Sequence, residues 1–361
     1  MIPGGRRFRP RSGVRKTATL IPILPMRLPR IKCPERTSIY HCTSRIHGYI
    51  PYLDDVEKDH LLRLFQEFGV FCDVEVLSYC LMDNHFHVVV AVPPRPEVLP
   101  TAEQLMARLE GLTLVGETPQ SMARTLALFR KRGDVAGENA YLDSFHRRMW
   151  DVSAYMKAAK QSFSCWHNRR HDQEGPVWKG RFHSVLVEPG DALLAVSAYV
   201  DLNPVRAGMV KTPEAHPWSG YSAAMAGSKA AQTGIQEVMS AWAGRRLEVE
   251  ESLEQYRCQM YLRGEERIGV SGEVERLGLR RTEVLAMVAK QGVVTLQEYL
   301  GCRVRHFTHG LAVGSQAYVD GIFGRYRKNF GTRREGGAQP VAGLPPGILY
   351  SLRAYRRGAL S

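Results

Sequence analysis

A chain of 361 residues that is 44% hydrophobic, 24% charged and 9% aromatic is no peptide, disulfide miniature, disordered tail or collagen; its length suits about two domains with a proper core. The net charge of +13 favours a polyanion or a membrane surface, yet residues 1–30 hold a surplus of eight positive charges and residues 325–361 a surplus of seven, so any basic groove between them must come from local clustering. Seven cysteines without a Cys-x-x-Cys pair argue against a disulfide framework and a cysteine zinc site and fit a reducing cytosol; no apolar run nears the ~18–20 residues of a spanning helix, so no membrane partner is expected.

Residues 1–25 read as a disordered basic arm, or as a mis-assigned start ahead of Met26. Ser38–Ile46 alternates like a strand, and Asp54–Phe68 has helical spacing. Asp73–Cys80, a turn at Met82-Asp83-Asn84 and the apolar run His85–Val92 make a hairpin. Four prolines in 93–100 close this β-α-β-β unit, and an inserted helical segment follows at about 94–135. Asn139–Arg170 is free of Gly and Pro and predicts one long helix; Gly175-Pro176 then turns the chain into a strand over Val177–Glu188 and a helix over Asp191–Asn203. The β-α-β-β-α-β order predicts an α+β, ferredoxin-like split βαβ domain with an antiparallel sheet over residues 26–225. Beyond a boundary near Met225, residues 226–244 read as a linker, 245–335 as a mainly helical accessory domain and 336–361 as a basic tail. Helices are expected at Arg280–Gln291 and Thr295–Leu300.

Two constellations carry chemistry. On a strand, His85 and His87 share a face while Phe86 points to the other, and two neutral imidazoles make half of a metal site. On a helix, Tyr199 and Asn203 share a face one turn apart, offering a nucleophile and an oxygen ligand. The plainer alternatives are two histidines on a half-exposed strand, a core tyrosine, and an Asn-Pro pair that ends a helix. Trp178, Lys179, Arg181, Phe182 and His183 interleave rings and cations as a single-stranded nucleic-acid surface does, although Trp178 and Phe182 read equally well as core. Arg169-Arg170-His171 is a second candidate contact, or a basic helix end beside its own dipole.

The blocks IYHCTSRI, LMDNHFHVVV, GPVWKGRFHSVLVE, AYVDLNPVRAGMV and HPWSGYSA resemble, in order, those of the REP-associated tyrosine transposases, single-tyrosine relatives of the HUH transposases. The segment from Phe307 to Pro340 resembles the tail of a longer subgroup. The resemblance implies that His85 and His87 ligate Mg²⁺ or Mn²⁺, that Asn203 is the third ligand, and that Tyr199 is the nucleophile. The implied activity is cleavage and rejoining of single-stranded hairpin DNA through a 5′-phosphotyrosine. The implied DNA contacts are Trp178, Lys179, Arg181, Phe182, Arg169 and Arg170. It further implies a cytoplasmic, nucleoid-associated protein acting as a monomer or homodimer. The competing classes are a domesticated, non-catalytic DNA-binding protein and a metal-dependent hydrolase, the latter calling for eight β/α units that this order of elements lacks.

Overall fold

A computed structural model describes residues 30–48, 53–110, 112, 117–263, 267–268, 274–276, 305–332, 334–341 and 347–353. The expected arm at 1–25 and the expected helices Arg280–Gln291 and Thr295–Leu300 lie outside the described residues.

Strand β1 (Ser38–Arg45) leads into helix α1 (Asp55–Cys72), and the hairpin β2 (Glu75–Leu81) and β3 (His85–Val92) follows. Helices α2 (Ala102–Leu109), α3 (Pro119–Arg132) and α4 (Val135–His146) form the insertion, before α5 (Val152–Arg170) and β4 (His183–Val187) complete the unit. The four strands lie in the order β2-β3-β1-β4, and every pairing among them is antiparallel. That is the ferredoxin-like split βαβ order anticipated from the sequence.

Both faces of the sheet are covered, which is why β3 is apolar almost throughout instead of alternating. Phe86, Val88 and Val90 pack with Phe65, Phe68, Tyr155 and Phe163 of α1 and α5. Val89 and Ala91, of the opposite parity, pack beneath α6 (Asp191–Asp201) with Leu193, Val196 and Val200. After the short turn α7 (Asn203–Arg206), helices α8 (Gly220–Met225), α9 (Lys229–Ala243) and α10 (Val249–Arg263) complete that second layer.

The structure departs from the sequence expectation in four elements. The long helix expected over 139–170 breaks at Arg147–Asp151, where Trp150 adopts φ 52°. Its backbone N–H donates to Cys72 O at 2.8 Å and its indole to Asp73 at 2.7 Å, while Asp151 caps α5 by accepting from Ser153 N and Ala154 N. A new cap and a tertiary anchor thus end a helix that no Gly or Pro interrupts. The expected strand over 177–188 is laddered only from His183 onward; before it, Trp178 forms an isolated bridge to Ile46. The expected linker at 226–244 contains α9, which packs so closely on β2 that a Cβ at Gly234 would lie 2.4 Å from Leu77 O. Glycine is required there by proximity, not by turn geometry.

The fourth departure is the C-terminal segment. A small hairpin, β5 (Arg267–Ile268) and β6 (Val274–Arg276), precedes α11 (Arg305–His309), β7 (Gly310–Gly314), α12 (Gln316–Arg325), β8 (Gln339–Pro340) and β9 (Tyr350–Arg353). Strand β7 runs parallel to β4, and the sheet continues β4-β7-β9-β8 to seven strands. Residues expected to be helix and basic tail therefore extend the central sheet. Among the described residues, no helix is long and apolar enough to cross a membrane.

Candidate active site

Strand parity places His85 and His87 on the face of β3 that looks toward α6, with their rings 5.1 Å apart. Phe86, fully buried on the other face, meets Phe65 at 5.0 Å and Trp178 at 5.4 Å, both edge to face. Tyr199, near the end of α6, presents its ring edge-on to His87 at 5.5 Å. Two residues far apart in sequence thus meet because α6 crosses the back of the sheet at β3.

A third imidazole completes the group. His41 of β1 is stacked on His87 at 5.1 Å and stands 6.1 Å from the Tyr199 ring. In the register Thr43 lies opposite His87 and His41 opposite Val89, so His41 and His87 are diagonal neighbours on one face. Its Nδ1 lies 2.7 Å from Phe307 O of α11, and its Nε2 lies 2.9 Å from His87 Nδ1.

A carbonyl oxygen only accepts, and this fixes the protons along the chain. His41 Nδ1–H donates to Phe307 O, so His41 Nε2 accepts from His87 Nδ1–H, which leaves the lone pair of His87 on Nε2. His85 Nδ1 sits 2.7 Å from Asn84 Oδ1, also an acceptor, and by the same logic keeps its lone pair on Nε2. Burial favours the neutral rings: His41 and His85 are both pushed down to about 4, and His87 well below the usual 6.5. Two neutral imidazoles with Nδ1 engaged and Nε2 basic are the state in which histidine binds a metal, held by partners outside the ligand set.

Tyr199 is 5% exposed. Burial pushes its hydroxyl up to about 12, opposed by the Arg206 guanidinium, which lies 5.3 Å from the ring, and by the side chain of Asn203. Phe307 packs on the ring at 5.6 Å. Two other tyrosines near the sheet are occupied differently: Tyr155 donates to Phe65 O at 3.0 Å from within the core, and Tyr221 to Glu214 at 3.0 Å.

Asn203 stands beside Tyr199 but has a second task. Pro204 has no N–H to give Val200 O, and the Asn203 amide donates to Val200 O at 3.3 Å and to Tyr199 O at 3.0 Å. The side chain therefore caps the end of α6, as the helix-ending alternative requires, while its oxygen is not consumed by those bonds. An oxygen with that freedom, together with two Nε2 lone pairs, makes a mixed nitrogen–oxygen donor set that suits a divalent ion such as Mn²⁺.

The candidate DNA contacts divide. Trp178 and Phe182 are core residues: the Trp178 indole donates to Lys160 O at 3.1 Å and packs on Phe163, and Phe182 is covered by the Arg30 guanidinium at 3.6 Å. Their rings are enclosed, so the expected base-stacking role is not one that this arrangement offers. Lys179, Arg181 and Arg169 are exposed. Arg170 pairs with Asp54 at 2.7 Å and lies over Trp166.

Sequence reasoning passed over His41, Arg206 and Phe307. His41 lies in the quoted block IYHCTSRI, and strand parity with the buried face was the available signal; Arg206 and Phe307 become neighbours of Tyr199 only in three dimensions.

No family model matches the chain, and no curated protein does. Among solved structures the chain is similar to a REP-associated tyrosine transposase bound to a REP hairpin, at 12% identity and a TM-score of 0.36, over 55% of this chain and 86% of the other.

Proposed function

We propose that this protein is a metal-dependent enzyme that cleaves and rejoins single-stranded hairpin DNA, with Tyr199 as nucleophile and His85, His87 and Asn203 as the metal-holding set. One observation carries the reading: two imidazoles whose Nε2 lone pairs are left by hydrogen bonds at Nδ1, that of His87 to His41 and that of His85 to Asn84, share a face with a tyrosine ring 5.5 Å from one of them. The five sequence blocks support it independently, since they bring these same residues in the order of the REP-associated transposases.

When bound there, Mg²⁺ or Mn²⁺ would polarise the scissile phosphate. The remaining work falls to the chain. The Tyr199 oxygen forms a bond to phosphorus as the bond to the 3′-oxygen breaks; the phenol proton ends on that oxygen, giving a free 3′-OH, and the 5′-phosphate stays on the protein. With its hydroxyl pushed up to about 12, Tyr199 enters the reaction as the neutral phenol, and Arg206 is placed to favour the phenolate as the proton leaves. Because the phosphotyrosine conserves the energy of the broken ester, rejoining is the reverse step and needs no nucleotide triphosphate. Lys179, Arg181 and Arg169 are the exposed cations suited to the DNA backbone.

The test is incubation of the full chain with single-stranded hairpin DNA from beside its own gene and Mn²⁺, followed by a denaturing gel. A covalent adduct is expected, lost in Tyr199→Phe while hairpin binding persists. An adduct that survives in Tyr199→Phe overturns the assignment. The burial of Tyr199 against Phe307 favours one other reading, a non-catalytic DNA-binding protein, for which the same gel shows binding without any adduct.

A further inference from the structure

On the face of the sheet away from Tyr199, helices α1 and α5 bring together Glu57, His167 and His171. The three ligand atoms lie within 4.8 Å of one another. His167 and His171 are four residues apart at the end of α5 and share a face, with ring centres 4.5 Å apart, the His-x-x-x-His spacing that chelates a metal from one helix. Glu57 comes from the first turn of α1. Its Oε1 faces both rings, 3.3 Å from His167 Nε2 and 2.5 Å from His171 Nε2, while its Oε2 accepts from Asp54 N at 2.8 Å in a capping box.

Two features of this cluster point to a ligand. Glu57 is 2% exposed, a depth at which a carboxylate requires a compensating charge. His167 is 4% exposed and both its ring nitrogens lack a hydrogen-bond partner, although Nε2 lies only 3.3 Å from that carboxylate. A buried imidazole with neither nitrogen bonded is costly, and an ion between ring and carboxylate would engage its Nε2 and compensate the carboxylate's charge.

We propose that Glu57, His167 and His171 form a second metal site, separate from the His85–His87 pair, that takes a zinc-like divalent ion. The donor set of two imidazoles and one carboxylate suits zinc better than magnesium, whose ligands are oxygens. Ligand atoms about 2.0–2.1 Å from a tetrahedral ion stand roughly 3.3 Å apart, the separation already present between Glu57 and His167. His171 must withdraw from Glu57, and its position as the C-cap of α5, with a side chain one-third exposed, allows that and leaves the fourth position toward solvent. Such an ion would pin the start of α1 to the end of α5, where the chain turns toward Lys179, Arg181 and β4.

The inference does not rest on the DNA-cleaving reading. The experiment is titration of the chelator-stripped full chain with Co²⁺, read by visible absorption, where tetrahedral sites give intense bands. Wild type is expected to show one tetrahedral equivalent, which His171→Ala and Glu57→Gln each abolish while the far-ultraviolet spectrum is unchanged; Glu57→Gln keeps the cap. His85→Ala is expected to retain the bands. Bands that survive both His171→Ala and Glu57→Gln, or their absence from wild type, overturn the site and leave a buried imidazole–carboxylate pair.

Discussion

Replacing His41 by alanine tests how the fold prepares the two histidines proposed to hold the metal. The change removes both hydrogen bonds of the chain from Phe307 O to His87, leaving the His87 Nδ1–H and the Phe307 carbonyl without the partners found at 2.9 and 2.7 Å. Each buried orphan costs about 1–3 kcal/mol, and an imidazole-sized void adds to it, so a loss of roughly 3–6 kcal/mol is expected, read as a lower urea midpoint at unchanged slope. Metal affinity should fall as well, because His87 loses the partner that orients its ring and places its proton on Nδ1. Loss of such a partner typically costs about 10–100-fold, or ~1.4–2.7 kcal/mol. His41→Gln, which can still offer an oxygen toward His87 Nδ1–H, should recover part of the affinity but not the Phe307 bond. Mn²⁺ titration by electron paramagnetic resonance measures this directly. A His41→Ala protein that binds Mn²⁺ within twofold of wild type would refute the claim that this chain sets the His87 tautomer.

Phe86→Leu should leave Mn²⁺ binding and cleavage intact, because the ring faces away from the site, yet lower stability by about 1–2 kcal/mol as its edge-to-face contacts with Phe65 and Trp178 are lost; denaturation and cleavage measured together would expose an error in strand parity. Asn203→Ala should cost both the cap of α6 and an oxygen ligand, whereas Asn203→Asp should keep the ligand and lose only the donors to Tyr199 O and Val200 O; equal Mn²⁺ dependence in the two variants would reduce Asn203 to a helix terminator. Two opposing trends should shape the pH dependence of stability. His41 and His85, pushed down to about 4 from 6.5, stay neutral when folded while the unfolded chain gains protons, so they lower stability as pH falls from 6.5 to 4. Burial pushes the Asp201 carboxyl up to about 7 from 3.8, against the hydrogen bonds from Tyr256, Tyr221 N and Ser78 that favour its ionised form; it holds a proton that the unfolded chain has lost, so it lowers stability as pH rises from about 4 to 7. Asp201→Asn removes the second trend, and its urea midpoint should gain on wild type between pH 5 and pH 8; a gain that does not depend on pH would place the cause elsewhere.

Whatever depends on local period was legible in the linear pattern of residues. The two-residue period of a strand puts the two histidines of HFHVVVAV on one face and Phe86 on the other, and the order of strand and helix patterns, with turn residues between them, implies a split βαβ sheet. What meets that face depends on packing between distant segments. His41 reaches His87 diagonally only because β1 and β3 pair with Thr43 opposite His87, and cross-strand register is set by packing of both sheet faces, not by any pattern inside β1. The break at Trp150 answers to the carbonyl of Cys72 and the carboxylate of Asp73, both brought from α1's end. Burial of Trp178 and Phe182 follows from the layer formed by α1 and α5, which a stretch of alternating rings and cations does not reveal. The addition of β7 beside β4 joins strands more than a hundred residues apart, and with it comes the Phe307 carbonyl that holds the proton on His41. A short strand such as Gly310–Gly314 carries too little apolar period to announce itself, and it becomes a strand because the open edge of β4 offers it unpaired backbone groups.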